Sequence, residues 1–149
     1  MDKLQIYKYN KLDINNLNLS EFNIQYNSNE FLIQGPVFTE YDIINYNSKK
    51  YIELKIDDTK ISHINFLIFI DSLELKLNNY SDKPIKTQII TNIQNQKSVK
   101  VKLLDNTIYF DNNKNPVNNL FSKKISLLFK LEFYKIYYSW NALQILQLN

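Results

Sequence analysis

The sequence predicts a mainly β domain, a barrel or sandwich of short strands with one helix packed on it. Several segments alternate apolar and polar residues with a period of two, a single segment shows helical spacing, and strands do not alternate with helices as in a parallel α/β protein. The chain has 149 residues, of which 44% are hydrophobic. That is enough for one domain over residues 1–149 with a sizeable core.

The first half of the chain predicts short strands. Residues 31–33 form an apolar run that the dipeptide Gly35-Pro36 should end in a bend. Residues 51–56 alternate strictly between polar and apolar side chains, after a polar stretch at 45–50 that is typical of a turn. We expect a half-buried strand at 51–56.

Helical spacing indicates one α-helix near residues 62–78. Its apolar face consists of Phe66, Phe69, Ile70, Leu73 and Leu77. Residues 57–59 offer N-cap side chains just before it. His63, the single histidine, falls near the start of this helix, and no second metal-ligand residue stands at a motif spacing from it. We therefore interpret His63 as structural.

The second half predicts further strands, at residues 85–93, 99–103, 108–110, 125–138 and 142–148. In the longest, 125–138, the odd positions are apolar from Ile125 to Phe133, whereas the even positions include Lys130, Tyr134 and Tyr138. We expect the even positions, and Trp140 in the same register, to face solvent.

Composition argues against an enzyme. The chain has no cysteine and one glycine, which excludes zinc–thiolate sites, disulfides and glycine-rich phosphate loops. Asp57 and Asp58 suit a helix cap better than a metal site. We expect no catalytic residues, no metal and no cofactor. With no apolar run of membrane-spanning length and no signal-peptide pattern, we expect a cytoplasmic, intracellular protein.

Charge divides the chain unequally. Residues 83–149 carry ten lysines and three carboxylates, a balance of +7, and residues 1–82 carry eight lysines and twelve carboxylates, a balance of −4, which sum to the net +3. Nine aromatic residues lie within the basic half. Lysines that neutralise phosphates and aromatic rings that stack on bases are typical of single-stranded nucleic-acid binding. All basic residues are lysine, which favours contact with the backbone over base reading.

The candidate nucleic-acid-binding residues follow from this interpretation. Lys100 and Lys102 share one face of a strand and would follow successive phosphates. Solvent-facing strand lysines are also common in sheets that bind nothing, and most aromatic rings are buried. The predicted set is Lys55, Lys100, Lys102, Lys130, Tyr51, Tyr109, Tyr134, Tyr138 and Trp140.

The block from residue 31 to residue 77 has an unusual order. An apolar strand ends in Gln34-Gly35-Pro36, a stretch with Tyr41 and Tyr46 follows, then a strand at 50–54 and a helix carrying residues 69–74. This order resembles the single-stranded-DNA-binding OB-fold proteins of nucleocytoplasmic large DNA viruses. The C-terminal strands, with an aromatic bend at Trp140, are similar to the last strands of that family. The AT-rich coding that 22 Asn and 20 Ile indicate also suits a related protein of a yeast cytoplasmic linear plasmid.

The resemblance implies an OB-like barrel of roughly six to eight strands with the one helix. It also implies sequence-independent binding of single-stranded DNA in replication or repair. RNA remains an alternative polymer, and a homo-oligomer and contacts with replication proteins are further expectations. Two other classes stay open: a small non-catalytic subunit of a viral- or plasmid-type transcription or replication complex, and a structural virion protein.

Overall fold

The computed structural model describes residues 5–20, 23–27, 29–134 and 137–149. Over these residues the chain is mainly β with one α-helix, α1 (Ile61–Tyr80), and two short 3₁₀ turns at Tyr9–Lys11 and Ile14–Asn16. The predicted fold class is therefore confirmed, and the predicted helix at 62–78 is correct to within two residues at each end.

The strands are β1 (Ile6–Lys8), β2 (Leu17–Ser20), β3 (Asn23–Tyr26), β4 (Asn29–Glu30), β5 (Leu32–Phe38), β6 (Tyr41–Tyr46), β7 (Lys49–Lys55), β8 (Ile89–Thr91), β9 (Lys97–Phe110), β10 (Pro116–Val117), β11 (Lys124–Tyr134) and β12 (Tyr137–Leu148). The main sheet has the order β1-β5-β11-β12-β9-β7-β6, and β8 and β10 also pair with β9. A small second sheet is formed by β2, β3 and β4. Within the described residues β1 and β6 do not pair with each other, so the main sheet is open rather than a closed barrel.

The core lies between α1 and the inner face of the main sheet. An aromatic cluster forms its centre, in which the ring of Phe129 lies 6.0 Å from that of Phe66 and 5.8 Å from that of Trp140. The helix adds Phe69, Ile70, Leu73 and Leu77, all buried. Burial of each large side chain contributes about 1.5–3 kcal/mol to the transfer free energy, which makes this cluster the main source of stability.

The dipeptide Gly35-Pro36 does not bend the chain, so that part of the prediction is wrong. Strand β5 continues through it to Phe38. Pro36 lies beyond the residues of β5 that pair with β1 and at the register shift in its pairing with β11, so its missing N–H interrupts no ladder. A Cβ on Gly35 would come within 2.5 Å of Cε2 of Phe129. Glycine is required here by close packing.

The segment 125–138 is not one strand, which is a second correction. Strand β11 ends at Tyr134, and β12, which begins at Tyr137, pairs antiparallel with it so that Phe133 lies opposite Tyr138 and Leu131 opposite Trp140. Odd positions of β11 and the even positions of β12 from Tyr138 to Ala142 therefore share the inner face. Tyr138 and Trp140 are 3% and 1% exposed and belong to the core. The expectation that they face solvent is wrong.

The start of α1 also differs from the prediction. The N-cap is Lys60, without a side-chain hydrogen bond. The Asp57 carboxylate instead accepts hydrogen bonds from the N–H and Oγ1 of Thr59, and these bonds lower the pKa of Asp57. His63 is buried, its Nδ1 accepts a hydrogen bond from the Asp57 N–H at 2.9 Å, and its Nε2 lies 2.8 Å from the Val37 carbonyl oxygen. The structural interpretation of His63 is confirmed.

Candidate nucleic-acid interface

The two faces of β7 and β9 differ sharply. Ile52, Leu54, Val99 and Val101 point into the core and are fully buried. The alternate residues Tyr51, Glu53, Lys55, Lys100 and Lys102, together with Lys130 of β11, form what we call the outer face. On it Tyr51 lies opposite Lys102 and Glu53 opposite Lys100. Alternation along two adjacent strands thus places predicted site residues side by side.

Most charges on the outer face are offset by neighbours. Lys55 Nζ lies 3.2 Å from Asp42 and 3.4 Å from Glu53. Burial is the largest single influence on the pKa of Lys55 and lowers it, but hydrogen bonds and attraction from both carboxylates together outweigh burial and raise that pKa. Lys130 Nζ lies 3.0 Å from Glu30. The outer face is therefore a weaker phosphate-binding surface than its lysine count indicates.

A groove lies beside the β6–β7 hairpin and also includes Lys102 of the outer face in its lining; we call it the hairpin groove. It has a volume of about 930 Å³. It is lined by Tyr41, Ile43, Asn45, Ser48, Lys49, Lys50, Lys102, Leu103, Leu104, Asp105, Tyr109, Asn118, Asn119 and Leu120. Three of these residues are lysines and Asp105 is the one carboxylate. The groove thus combines excess positive charge with apolar and aromatic surface.

Two tyrosines supply the aromatic surface of the groove. Tyr41 and Tyr109 are both half-buried, and burial raises the pKa of each. Both phenols are consequently neutral at physiological pH and present no negative charge to a phosphate. The Tyr41 hydroxyl donates a hydrogen bond to the Ser122 carbonyl oxygen, which ties the hairpin side of the groove to the opposite wall.

The hairpin wall ends in a tight two-residue turn. Asn47 and Ser48 have φ of 49° and 63°, the conformation of a type I′ turn, whose twist matches the flanking strands. Tyr46 beside this turn is 64% exposed. Phe121, next to the opposite wall, is equally exposed at 64%. Neither side chain is part of the groove lining.

The opposite wall, residues 118–122, is held by one buried amide. Gln147 is 1% exposed. Its Nε2 donates to the Asn119 carbonyl oxygen at 2.9 Å, and its Oε1 accepts from the N–H groups of Phe121 and Ser122 at 2.6 and 2.9 Å. A loop without regular secondary structure is thus fixed by the last strand of the sheet.

The predicted site residues are distributed over three places. Lys102 and Tyr109 line the hairpin groove. Tyr51, Lys55, Lys100 and Lys130 lie on the outer face, and Tyr138 and Trp140 lie in the core. The side chain of Tyr134, like Lys135, lies outside the described residues. Sequence reasoning missed Tyr41, Lys49 and Lys50, although a tyrosine-rich stretch before a lysine pair was a usable signal.

The described part of the chain has neither a cluster of metal-ligand side chains nor a membrane-spanning helix. No three His, Cys, Asp or Glu side chains there gather into a group that would hold a metal ion. None of the helices described there is long and apolar enough to span a membrane.

Comparisons with known proteins agree with the fold. No family model matches the sequence, and no curated protein matches it. Among solved structures, the chain is similar to the single-stranded DNA-binding protein from bacteriophage Enc34, with 12% identity, a TM-score of 0.51, and coverage of 87% of this chain and 86% of that one. A C-terminal truncation of the same phage protein gives 13% identity, a TM-score of 0.53, and coverage of 89% and 90%. Similarity at this identity shows a shared fold.

Proposed function

We propose that this protein binds single-stranded DNA in the hairpin groove without strong sequence preference. The observation that carries the proposal is the groove itself, whose lining combines Lys49, Lys50 and Lys102 with Tyr41 and Tyr109. Lysines release counterions from phosphates, and tyrosine rings stack on bases of any sequence, each stacked base contributing about 1–3 kcal/mol.

The composition of the groove favours a general binder. Without arginine the protein lacks the bidentate contact that identifies guanine. A salt dependence equivalent to about three to six neutralised phosphates suits a groove of this size. Duplex DNA keeps its bases stacked inside and offers the tyrosine rings nothing to stack on, so we expect it to bind less tightly.

The fold supports the same proposal, because the Enc34 protein that shares it is a single-stranded DNA-binding protein. We extend the proposal to a non-enzymatic role in DNA replication or repair. A viral or cytoplasmic linear-plasmid origin, and with it a cytoplasmic location, remain predictions from the sequence.

The first test is fluorescence anisotropy with labelled oligonucleotides of equal length. Single-stranded DNA, duplex DNA and single-stranded RNA are titrated at several salt concentrations. The proposal expects tight, salt-sensitive binding to the single strand and weaker binding to the duplex, and the RNA arm tests the alternative polymer. No binding to single-stranded DNA at low salt would overturn it.

The second test locates the site. The double variant Lys49→Ala/Lys50→Ala removes two groove lysines, and we expect the slope of log affinity against log salt to fall by about 1.4, from roughly 0.7 per phosphate on single strands. Lys83→Ala/Lys86→Ala removes the same charge outside the groove and is the matched control. Equal losses in both variants would mean that charge acts nonspecifically and that the groove is not the site.

One observation favours a second candidate, the small non-catalytic subunit of a larger complex. On the face of α1 that points away from the core, Ile61, Ile64, Ile68 and Leu75 are 76%, 40%, 57% and 63% exposed. An apolar stripe along a 20-residue helix is unusual for a protein that acts alone. Failure to bind nucleic acid, together with aggregation that Ile68→Lys relieves, would favour this candidate.

A further inference from the structure

Among the strands that the structure describes, β6 is at one edge of the main sheet and has no partner on its outer side. It is the terminal strand of the sheet order and spans six residues, whereas β1 at the other end spans three. Proteins usually protect such edges with lysine, proline, a bulge or a very short strand. β6 has none of these, and its one charged side chain, Asp42, is paired with Lys55. Ile43, Ile44 and Tyr46 on it are 40%, 36% and 64% exposed.

The hairpin geometry shows which main-chain groups are free for pairing. The two-residue turn makes Tyr46 and Lys49 a hydrogen-bonded pair, and these pairs recur at every second residue of β6. The bond from the Lys55 N–H to the Glu40 carbonyl oxygen, at 3.0 Å, continues this pattern. The N–H and C=O groups of the odd residues, Tyr41, Ile43 and Asn45, therefore point away from β7.

We propose that β6 pairs antiparallel with β6 of a second copy of this chain, with Ile43 on the two-fold axis. Odd residues must lie opposite odd residues for their free groups to bond. Centring on Ile43 pairs Ile43 with itself and Tyr41 with Asn45 in both directions, which gives about six main-chain hydrogen bonds. A shift of two residues either way moves Asn45 or Tyr41 beyond the partner strand and leaves about four.

Side chains and charges are self-complementary in this register. Asp42 lies opposite the apolar Ile44 of the second copy, not opposite another carboxylate. Glu40 lies opposite Tyr46 of the second copy and one strand away from its Lys49, so opposite charges approach each other across the junction. No like charges face one another, which favours a second copy over an unrelated strand.

The pairing joins two binding sites. Tyr41, Ile43 and Asn45 line the hairpin groove, so the two grooves would lie next to each other across the axis on one face of a continuous sheet. This part rests on the proposed function and assigns to the dimer a longer track for single-stranded DNA than one copy provides. Linked sites raise overall affinity for a long strand without any new contact to DNA.

The test of the dimer uses protein without DNA. Sedimentation velocity over a range of concentrations should show a reversible dimer. Ile43→Lys, which places two ammonium groups at the axis, should raise the dimer dissociation constant at least tenfold, or about 1.4 kcal/mol. The matched control is Ile68→Lys, a similarly exposed isoleucine on α1 that should leave the dimer intact. A wild type that is monomeric at every concentration, or a dimer lost in Ile68→Lys and kept in Ile43→Lys, would overturn the proposal.

A cross-link tests the register, since the chain has no cysteine of its own. Residues paired on the axis have Cα atoms about 5.5 Å apart, within disulfide range. We therefore expect Ile43→Cys to form a covalent dimer under oxidation. Two copies of Ile44→Cys would be roughly 8 Å apart and should not cross-link. A cross-link through Ile44→Cys but not Ile43→Cys contradicts the register.

The proposed dimer and the proposed DNA binding can be disproved independently of each other. A wild type that dimerises and does not bind oligonucleotides leaves the β6 interface standing and overturns the proposed function. A wild type that binds a short oligonucleotide and sediments as a monomer supports the proposed function and overturns the β6 interface. If both hold, Ile43→Lys should lose more affinity for a long strand than for one that fits a single groove.

Discussion

Lys100 lies directly over the ring of Tyr51, with Nζ 4.1 Å from the ring centroid. The two side chains come from neighbouring strands, and Tyr51 is opposite Lys102, one alternate position along β9. A cation over an aromatic face gains about 0.5–1 kcal/mol at an exposed site. This contact covers the ring face that a base would need and holds the ammonium group at the sheet. Tyr51 and Lys100, both predicted to bind nucleic acid, therefore contact each other instead.

The first prediction separates two lysines, Lys100 and Lys102, that share the outer face of β9. Lys102→Ala should reduce the salt slope of single-stranded DNA binding by about 0.7, because Lys102 lines the groove. Lys100→Ala should change it much less, because Lys100 does not line the groove and its ammonium group lies over the ring of Tyr51. Anisotropy titrations across a salt series measure both slopes. A larger loss with Lys100→Ala would move the site to the outer face.

The second prediction concerns the groove wall. Gln147→Leu removes three hydrogen bonds that hold residues 119–122. We expect the free energy of unfolding to fall by about 1–3 kcal/mol and single-stranded DNA binding to weaken several-fold. Gln144→Leu makes the same change at an exposed position of the same strand. Urea unfolding and anisotropy on both variants check this, and unchanged binding by Gln147→Leu would show that the wall is not part of the site.

The third prediction uses Trp140, the one tryptophan of the chain. It is 1% exposed and packs against Phe129 and Tyr138, so no base reaches it. Its fluorescence should be blue-shifted, poorly quenched by acrylamide and unchanged by saturating single-stranded DNA. Urea-unfolded protein provides the exposed reference. Strong quenching on DNA binding would contradict the register between β11 and β12 that buries the Trp140 ring.

The fourth prediction is a pH dependence. Burial, followed by the hydrogen bond to Glu74 at 2.5 Å and the charge of that carboxylate, raises the pKa of Tyr138 above its ordinary value near 10. Because the folded pKa is the higher one, the resulting stability is complete below pH 10 and is lost as pH rises above it.

Tyr138→Phe should therefore cost about 1–2 kcal/mol near pH 7, by removing a hydrogen bond to Glu74, and flatten the decline in stability above pH 10. Burial also raises the pKa of Tyr9, Tyr41 and Tyr109, so part of the decline should remain. Urea unfolding at pH 7 and above pH 10 measures both effects. Tyr137→Phe, at a 59% exposed position, is the control, and an equally steep decline in both variants would contradict the assignment.

Local patterns predicted the helix and the strand at β7 because each is decided within a few residues. The reversal of direction between β11 and β12 was missed because the sequence from Tyr134 to Tyr137 has no Gly, Pro, Asn or Asp, the residues that usually indicate one. The antiparallel pairing of β11 with β12 puts Tyr138 opposite Phe133 and Trp140 opposite Leu131, which reverses the alternation that one continuous strand would give these two residues, and they were therefore assigned to the wrong face.

The groove could not be predicted because its parts meet only in the folded sheet. Tyr41 and Lys50 are about sixty residues or more from Tyr109 and Leu120 along the chain. The charge asymmetry between the two halves of the sequence also did not predict where the charges lie in the folded protein. Lys130 of the basic half forms an ion pair with Glu30 of the acidic half. Strands from the two halves are neighbours in the fold, so lysines of one half lie close to carboxylates of the other.

The helix α1 is apolar on two opposite sides, the buried one and the exposed stripe that includes Ile68. Rolling it half a turn about its axis would exchange one set of apolar side chains for the other, so hydrophobicity alone defines its rotation poorly. Polar contacts define it instead: His63 bonds to Asp57 and Val37 near one end, and Glu74 accepts from Tyr138 and Thr87 nearer the other. Substitutions at His63 and Glu74 would therefore affect the uniqueness of the native state more than its apolar burial.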